Sequence, residues 1–319
     1  MKVVTVLNSK AGVSVPFADQ RGVASLSEAF QSSGMDAEII DLAEQNLENA
    51  VSHAISKKPD AVIAAGGDGT VGAVAGLLVG TGVPLGVLPL GTFNHFAKDL
   101  NIPMLLTEAV ELLAHPTLQQ IDLAKVNGRY FVNNSSIGLY PHIVHDRDTQ
   151  QRRLGRGKWL AYLFASLRAI RYLPFFHVAV EIEGETVHRR TPFVFVGNNE
   201  YMTGLFTIRR TCLNRGFLSL YVANHTTTAG FLGLAARALF NSLDEVKDFD
   251  SRVGKQIVIE TKKRRLKIGI DGEVTTIAPP LRYTIHPRAL HVIAPAATND
   301  CSSESHSQQP ATLRPSPVR

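Results

Sequence analysis

The stretch AVIAAGGDGTVGAV (61–74) places an acid among glycines directly after an apolar run. Ala61 to Ala65 predicts a buried strand, and Thr70 to Val79 predicts a helix, so Gly66-Gly67-Asp68-Gly69 fills the turn between them. Such turns let the backbone approach phosphate, and the following helix directs its N–H groups towards the same anion. Asp68 would repel bare phosphate, which favours either a bond to a nucleotide sugar or an intervening Mg²⁺. A purely structural turn with Asp68 as helix cap is the alternative.

A second turn of the same type follows the next predicted strand. The run LGVLPLG (85–91) is followed by Thr92, and Asn94 opens another predicted helix. The carboxyl ends of neighbouring parallel strands lie at one edge of a sheet. We therefore expect Gly91, Thr92 and Asn94 to form the second wall of one phosphate cleft.

The fold class follows from how strand and helix patterns are ordered. Up to His115 they alternate, which predicts a parallel sheet with right-handed crossovers. From about Ile121 most segments are strand-like, beginning with a hairpin that turns at Asn127-Gly128. The second half is therefore predicted to be mostly antiparallel β, and the polar tail from Thr298 is predicted to be disordered.

A third motif lies far along the chain. KIGIDGEVTTI (267–277) alternates like a strand and turns at Asp271-Gly272. Asp-Gly is a strong hairpin signal, so an ordinary hairpin is one interpretation. The same hairpin would also present two carboxylates, Asp271 and Glu273, towards the cleft.

Charge and hydropathy limit the partners. The formal charge of +5 is too small to predict nucleic-acid binding, but it suits anionic ligands or an anionic membrane surface. The N-terminus lacks a signal-peptide layout, and no apolar run approaches the ~20 residues of a membrane span. We expect a cytoplasmic protein.

Taken in order, these motifs resemble the diacylglycerol kinase catalytic-domain family, in its soluble bacterial lipid kinase branch, from Val3 to Pro295. LNSKAG (7–12) is similar to the family's Asn-Pro-x-Ser-Gly opening, and GGDGT and IDGE are intact. GVLPLGTFNHFAKDL matches its Gly-Thr-x-Asn-Asp-Phe-Ala segment, and QQIDLAKVNGRYFVNNSSIGL its Ile-Asp-x-Gly-x-Val stretch.

The resemblance implies a domain organisation. Residues 1–122, with a returning strand at about 287–296, would form a three-layer α/β ATP-binding domain like that of NAD kinases. Residues 123–286 would form a β-sandwich that holds the lipid substrate. The segment 298–319 would be a disordered tail.

The resemblance also implies an activity: Mg²⁺- and ATP-dependent phosphorylation of a hydroxyl of a lipid alcohol such as diacylglycerol. Asp271 would be the catalytic base and Glu273 its supporting acid, while Asp68 and Asp122 would hold Mg²⁺. The residues implied in binding ATP are Asn8, Lys10, Gly66, Gly67, Asp68, Gly69, Thr70, Gly91, Thr92 and Asn94.

Two departures from the family pattern keep alternatives open. His95 replaces an acid of the metal network, and Asn214-Arg215 replaces part of an Asp-Asp-Gly loop that holds a structural Mg²⁺ in some members. One alternative is a soluble small-molecule kinase of the NAD kinase type. The other is a catalytically weak lipid-binding regulatory protein.

The segment 145–172 is basic at its start and amphipathic after Trp159. It predicts peripheral contact with the anionic inner face of the membrane. A helix that packs on the core with a solvated basic side is the alternative. A homodimer is a further possibility that the sequence leaves open.

Overall fold

The computed structural model describes five segments of the chain: 1–9, 20–138, 175–200, 212–223 and 249–296. Some expectations lie outside them, namely Lys10, the amphipathic segment 145–172 and the tail 298–319. Within the described segments, no helix is both long and apolar enough to cross a bilayer.

The first half is an α/β unit. Its elements are β1 (Lys2–Leu7), α1 (Gln20–Ser32), β2 (Asp36–Asp41), α2 (Leu47–Ser56), β3 (Ala61–Gly66), α3 (Asp68–Leu78), β4 (Leu85–Pro89), α4 (His95–Asp99) and α5 (Leu106–Ala114). The strands pair in parallel in the order β2-β1-β3-β4. Every residue of β3 is buried, as expected for a parallel strand covered on both faces. This confirms the fold class predicted for the first half.

The second half is a sandwich of antiparallel strands. Its elements are β5 (Leu118–Val126), β6 (Arg129–Phe131), β7 (Asn134–Gly138), β8 (Phe176–Ile182), β9 (Glu185–Thr191), β10 (Phe193–Asn198), β11 (Leu218–Ala223), β12 (Phe249–Gly254), β13 (Gln256–Glu260), β14 (Leu266–Ile270), β15 (Glu273–Ile277) and β16 (Leu281–Ile293). One sheet has the order β12-β11-β10-β7-β14-β15. Its apolar face packs on β8, β13 and β16 in a core that includes Phe131 and Tyr283.

A single strand, β16, connects the two halves. Near its start it pairs antiparallel with β13 and β5, and at Val292 it pairs in parallel with Leu85 of β4. One sheet therefore runs through both halves in the order β2-β1-β3-β4-β16-β13-β8-β9. The returning strand predicted at about 287–296 is the end of this longer strand. The pairing with β5 is irregular between His286 and Leu290, where Pro287 cannot donate a hydrogen bond.

Two strands that the sequence analysis missed, β9 and β12, lie at sheet edges. Edge strands bury few side chains, so their hydrophobic alternation is weak. They face each other through ion pairs instead. Arg252 contacts Glu185 at 2.8 Å, and Arg189 contacts Asp250 at 3.2 Å.

The sandwich core supplies a stability prediction. The hydroxyl of the buried Tyr283 bonds Ser135 Oγ at 3.1 Å, and Ser135 is fully buried. Tyr283→Phe leaves the buried Ser135 hydroxyl without its partner, so we expect the free energy of unfolding to fall by about 1–2 kcal/mol. Tyr130→Phe is the control, since the Tyr130 hydroxyl has no hydrogen bond within the described segments. Urea unfolding should show a loss of under about 0.5 kcal/mol for the control. Equal losses would contradict the role of the Ser135 bond.

Candidate active site

The carboxylate of Asp271 is held by three consecutive backbone amides. Its Oδ2 accepts from the N–H of Val132 at 2.9 Å, and its Oδ1 accepts from those of Asn133 at 2.8 Å and Asn134 at 3.1 Å. The Asp271 N–H bonds the Asn134 carbonyl in return. Asp271 and Gly272 have φ values of +46° and +87°, so they form the predicted two-residue turn between β14 and β15.

These contacts determine how many hydrogen bonds the Asp271 carboxylate can still accept and how readily it binds a proton. A carboxylate offers about four acceptor positions, so one position remains, on Oδ2. The pKa of Asp271 is raised to about 7, mainly by burial and to a smaller extent by the negative charge of Asp68, while the three amides act to lower it. A carboxylate with a pKa near 7 and one open acceptor position is suited to general-base chemistry.

Two glycines of α3 make room for the acidic pair. A Cβ on Gly72 would overlap Oδ2 of Asp271, and a Cβ on Gly69 would overlap Oε1 of Glu273. Asp271 is only 7% exposed, whereas Glu273 is exposed. The first turns of α3 thus bring the predicted catalytic acids of a distant hairpin against the predicted phosphate turn.

Asp68 joins the two glycine turns. Its Oδ2 accepts from the N–H of His95 at 3.1 Å, and its Oδ1 from that of Phe96 at 3.0 Å. These amides belong to the first turn of α4, which has no side-chain cap of its own. Asn133 Nδ2 also donates to Asp68 Oδ1 at 3.2 Å. Asp68 therefore caps α4, rather than its own helix α3.

The walls of the predicted phosphate cleft are in direct contact. A Cβ on Gly91 would overlap Cα of Gly67, and a Cβ on Gly67 would lie 3.3 Å from Cα of Gly91. Asn94 closes the second turn: its Oδ1 accepts from the Gly91 N–H at 2.9 Å, and its Nδ2 donates to the Gly91 carbonyl at 2.9 Å. Its side chain shapes the turn, while Thr92 is exposed beside it.

The first turn is braced from β1. Asn8 Nδ2 donates to Thr70 Oγ1 at 2.9 Å, and the Asn8 N–H bonds the carbonyl of Ala65. Thr70 is 7% exposed. Asn8 and Thr70, both predicted to bind ATP, therefore support the first turn through the hydrogen bond between their side chains.

Asp122 is fully buried, and its carboxylate anchors two distant backbone positions. Its Oδ1 accepts from the N–H of Arg288 at 2.8 Å, and its Oδ2 from that of Gly216 at 2.6 Å. Arg288 lies in the irregular part of β16, with φ at +50°. Asp122 therefore holds the strand that connects the two halves.

Known proteins resemble the chain along most of its length. The diacylglycerol kinase of Bacillus subtilis (strain 168) is 28% identical over 260 residues, which are 77% of this chain and 82% of that protein. An uncharacterized protein of Synechocystis is 28% identical over 241 residues; the match covers 73% of this chain and about half (54%) of that protein's length. The crystal structure of a diacylglycerol kinase from Bacillus anthracis str. Sterne matches with a TM-score of 0.67 at 26% identity, covering 93% of this chain and 98% of that one.

Two family models match successive parts of the chain. Residues 2–126 match the diacylglycerol kinase catalytic domain, and residues 142–294 match the YegS C-terminal NAD kinase beta sandwich-like domain. The chain belongs to the diacylglycerol kinase catalytic-domain family. It is accordingly a phosphotransferase with an alcohol group as acceptor.

The two departures from the diacylglycerol kinase pattern have visible consequences. His95 stacks its ring on the half-exposed Phe93, with centroids 5.5 Å apart. Arg215 pairs with Glu200 at 2.8 Å, and its N–H donates to Asn199 Oδ1. A cationic side chain thus lies in the loop where the family pattern implies acidic residues.

The sequence analysis missed several residues of the site, above all Asn133 and Asn198. Asn133 links Asp68 to Asp271, through its side chain and its backbone respectively. Asn198 Nδ2 donates to the carbonyls of Asp122 at 2.9 Å and Val132 at 3.0 Å. The only sequence signal was a polar pair, Asn133-Asn134, directly after the short hairpin.

The fit between Asp271 and α3 can be tested by matched glycine substitutions. Gly72→Ala puts a methyl group against a carboxylate that three amides fix in place. We expect a loss of about 1–3 kcal/mol in unfolding free energy from the clash, partly offset by better helix propensity. Gly69→Ala meets only the flexible end of the exposed Glu273, so we expect little loss or a slight gain.

Thermal and urea unfolding of the two variants would provide the measurement. The prediction is wrong if Gly72→Ala is as stable as Gly69→Ala, since Asp271 would then be free to move away from α3.

Proposed function

We propose that the chain is an ATP- and Mg²⁺-dependent kinase that phosphorylates a hydroxyl of a lipid alcohol such as diacylglycerol. The observation that carries this proposal is the Asp271 carboxylate, which three backbone amides aim at the start of α3 with one acceptor position left open. Membership of the diacylglycerol kinase family supports the lipid acceptor over a soluble one.

Asp271 is the proposed base. In phosphoryl transfer the protein positions a hydroxyl in line with the γ-phosphate and accepts its proton. The hydroxyl must approach Oδ2 to within about 3 Å, because the acceptor positions of Oδ1 are already used. Glu273, at the same end of α3, is the proposed supporting acid.

The two contacting turns are the proposed phosphate site. The N-terminus of α3 begins at Gly67 without a side-chain cap, so its amide groups are available to an anion. Gly66, Gly67, Gly69 and Gly91 keep side chains out of this region. The residues that support or border it are Asn8, Thr70, Thr92 and Asn94. Lys10, which is not among the described residues, is proposed to contact phosphate.

The residues present fit a magnesium ion held through water. Mg²⁺ keeps several waters and binds through one or two carboxylates plus substrate phosphates. Within the described segments no three acidic, His or Cys side chains cluster as a complete metal site. Asp68 retains acceptor capacity beyond its three hydrogen bonds, so it is the proposed anchor of the ion. Asp122 is proposed to help hold the ion from farther away, through water. Mg²⁺ would neutralise charge that develops on the transferred phosphoryl group.

Access to a lipid hydroxyl requires contact with a membrane. We propose that the chain is cytoplasmic and binds peripherally to the anionic inner face. The basic stretch 147–158, which lies outside the described segments, is the proposed contact.

The activity can be tested by measuring ATP consumption with a panel of acceptors. The panel contains diacylglycerol, phosphatidylglycerol, a sphingoid base and an isoprenoid alcohol, with NAD as the control acceptor. We expect a lipid alcohol to stimulate ATP consumption, and Asp271→Asn to cut turnover by roughly 10²–10⁴. Asp36→Asn, an exposed site at the start of β2, should retain full turnover. Stimulation by NAD alone would overturn the lipid assignment, and near-normal turnover of Asp271→Asn would overturn the assignment of the base.

The pKa of Asp271 predicts opposite pH dependences for activity and stability. As a base it must be ionised, so kcat/KM should rise about tenfold per pH unit up to pH ~7 and then level off. In the unfolded chain its pKa returns to 3.8, so the folded state binds more protons between about pH 4 and 7. Stability should therefore fall as pH rises through that window.

Rate profiles and unfolding curves from pH 4 to 9 would check both slopes. Asp271→Asn should lack both inflections. A wild-type rate profile that levels off below pH ~5 would contradict the raised pKa.

A further inference from the structure

A cavity of about 410 Å³ lies outside the candidate active site, between the β5–β6 turn and the loop that joins β15 to β16. It borders the polar face of the β5–β16 pair. The length of β15 separates Glu273 from this loop by about 20 Å of extended chain. The volume is within the range of small-molecule sites, which begins at about 300 Å³.

Two cationic side chains, Lys125 and Arg282, line the cavity. Lys125 lies opposite Thr284 in the register of β5 and β16, and Arg282 lies two residues before Thr284 on the same face. Neither Lys125 nor Arg282 forms an ion pair with any residue in the described segments. The Nζ of Lys125 lies over the face of Tyr130, 4.7 Å from the ring centroid. Among the described residues, no carboxylate lines the cavity.

Two backbone carbonyls of the cavity wall accept hydrogen bonds from Asn127. Asn127 Nδ2 donates to the carbonyls of Ala278 at 3.2 Å and Pro280 at 3.0 Å, and its Oδ1 accepts from the Arg282 N–H at 2.7 Å. Asn127 therefore ties the two loops together and occupies two carbonyl groups that could attract a cation. The cavity wall also offers positive charge and a hydroxyl.

His286, two residues beyond Thr284 on the same face, responds to this charge. Its Nε2 lies 3.2 Å from Thr284 Oγ1. Burial lowers the pKa of His286, and the positive charge of Lys125 lowers it further. Lys125 therefore lies close enough to influence His286 beside Thr284.

We infer that this cavity binds a phosphate group, carried either by a small soluble molecule or by a lipid headgroup. Arg282 can hold a phosphate by two parallel N–H bonds, and Lys125 adds a point charge from the neighbouring strand. The Thr284 hydroxyl, which is bonded to His286, borders the same cavity. The cavity exceeds the size of one phosphate, so the ligand includes the organic part attached to it. This site is separate from the proposed catalytic reaction.

Binding can be measured without turnover by titrating inorganic phosphate and following the amide resonance of Gly128, which lines the cavity. We expect a saturable shift that weakens with rising salt. The double variant Lys125→Gln/Arg282→Gln should weaken binding at this resonance by at least tenfold. The control Lys57→Gln/Lys58→Gln removes the same charge from the exposed end of α2 in the α/β half and should bind as the wild type does.

Equal affinity in all three proteins, or no saturable shift of Gly128, would overturn the site. Should the double variant not fold, the two single variants carry the same test. Signals near Gly67 report phosphate at the proposed nucleotide turn, so binding there is distinguished from binding in the cavity.

The source of the phosphate is decided by sedimentation with vesicles of phosphatidic acid in phosphatidylcholine. Weaker sedimentation of the double variant than of the control assigns a lipid headgroup. Equal sedimentation of these two variants, together with the phosphate result, assigns a soluble phosphorylated molecule.

Discussion

The burial of one carboxylate against three successive amides constrains the rest of this structure. Asp271 needs the N–H groups of Val132, Asn133 and Asn134 to point at one place, and this fixes where the β5–β6 hairpin ends and β7 begins. A buried carboxylate without those bonds would cost several kcal/mol. The carboxylate also needs a helix without a side chain at the point of contact, which Gly72 supplies. The hairpin, the strand and the helix are therefore positioned by a single polar group.

Asn133 extends this constraint across the two halves of the chain. Its backbone N–H serves Asp271 from the sandwich half, while its side chain serves Asp68 of the α/β half. Asp68 in turn caps α4, so the second glycine turn is linked to the same network. The acid among glycines thus has a structural role that is independent of any metal. A metal role and this role are compatible, because a carboxylate has more acceptor positions than the network uses.

The sequence allowed the acidic residues to be predicted, but not the groups that hold them. Asp68, Asp271 and Glu273 stand in motifs with unusual local composition. Parallel-strand topology also predicts that the two glycine turns lie at one edge of the sheet. Backbone amides carry no such signal, since every residue except proline has one, and the role of Gly72 appears only when the distant hairpin packs on it. The edge strands β9 and β12 were not predicted for a related reason. Their side chains contact each other through ion pairs and do not form a buried apolar face.

The basicity of Asp271 arises from opposing effects that come from different halves of the chain. The amides of 132–134 favour the ionised form, whereas burial favours the neutral form and prevails. With the amides alone the carboxylate would be too weak a base, and with burial alone it would stay protonated at neutral pH. The amides belong to the sandwich half, but α3, which packs against Oδ2 at Gly72, belongs to the α/β half. A separation of α3 from the hairpin would therefore return Asp271 towards an ordinary carboxyl group, so the pKa that suits the proposed base is reached only when the two halves are packed together.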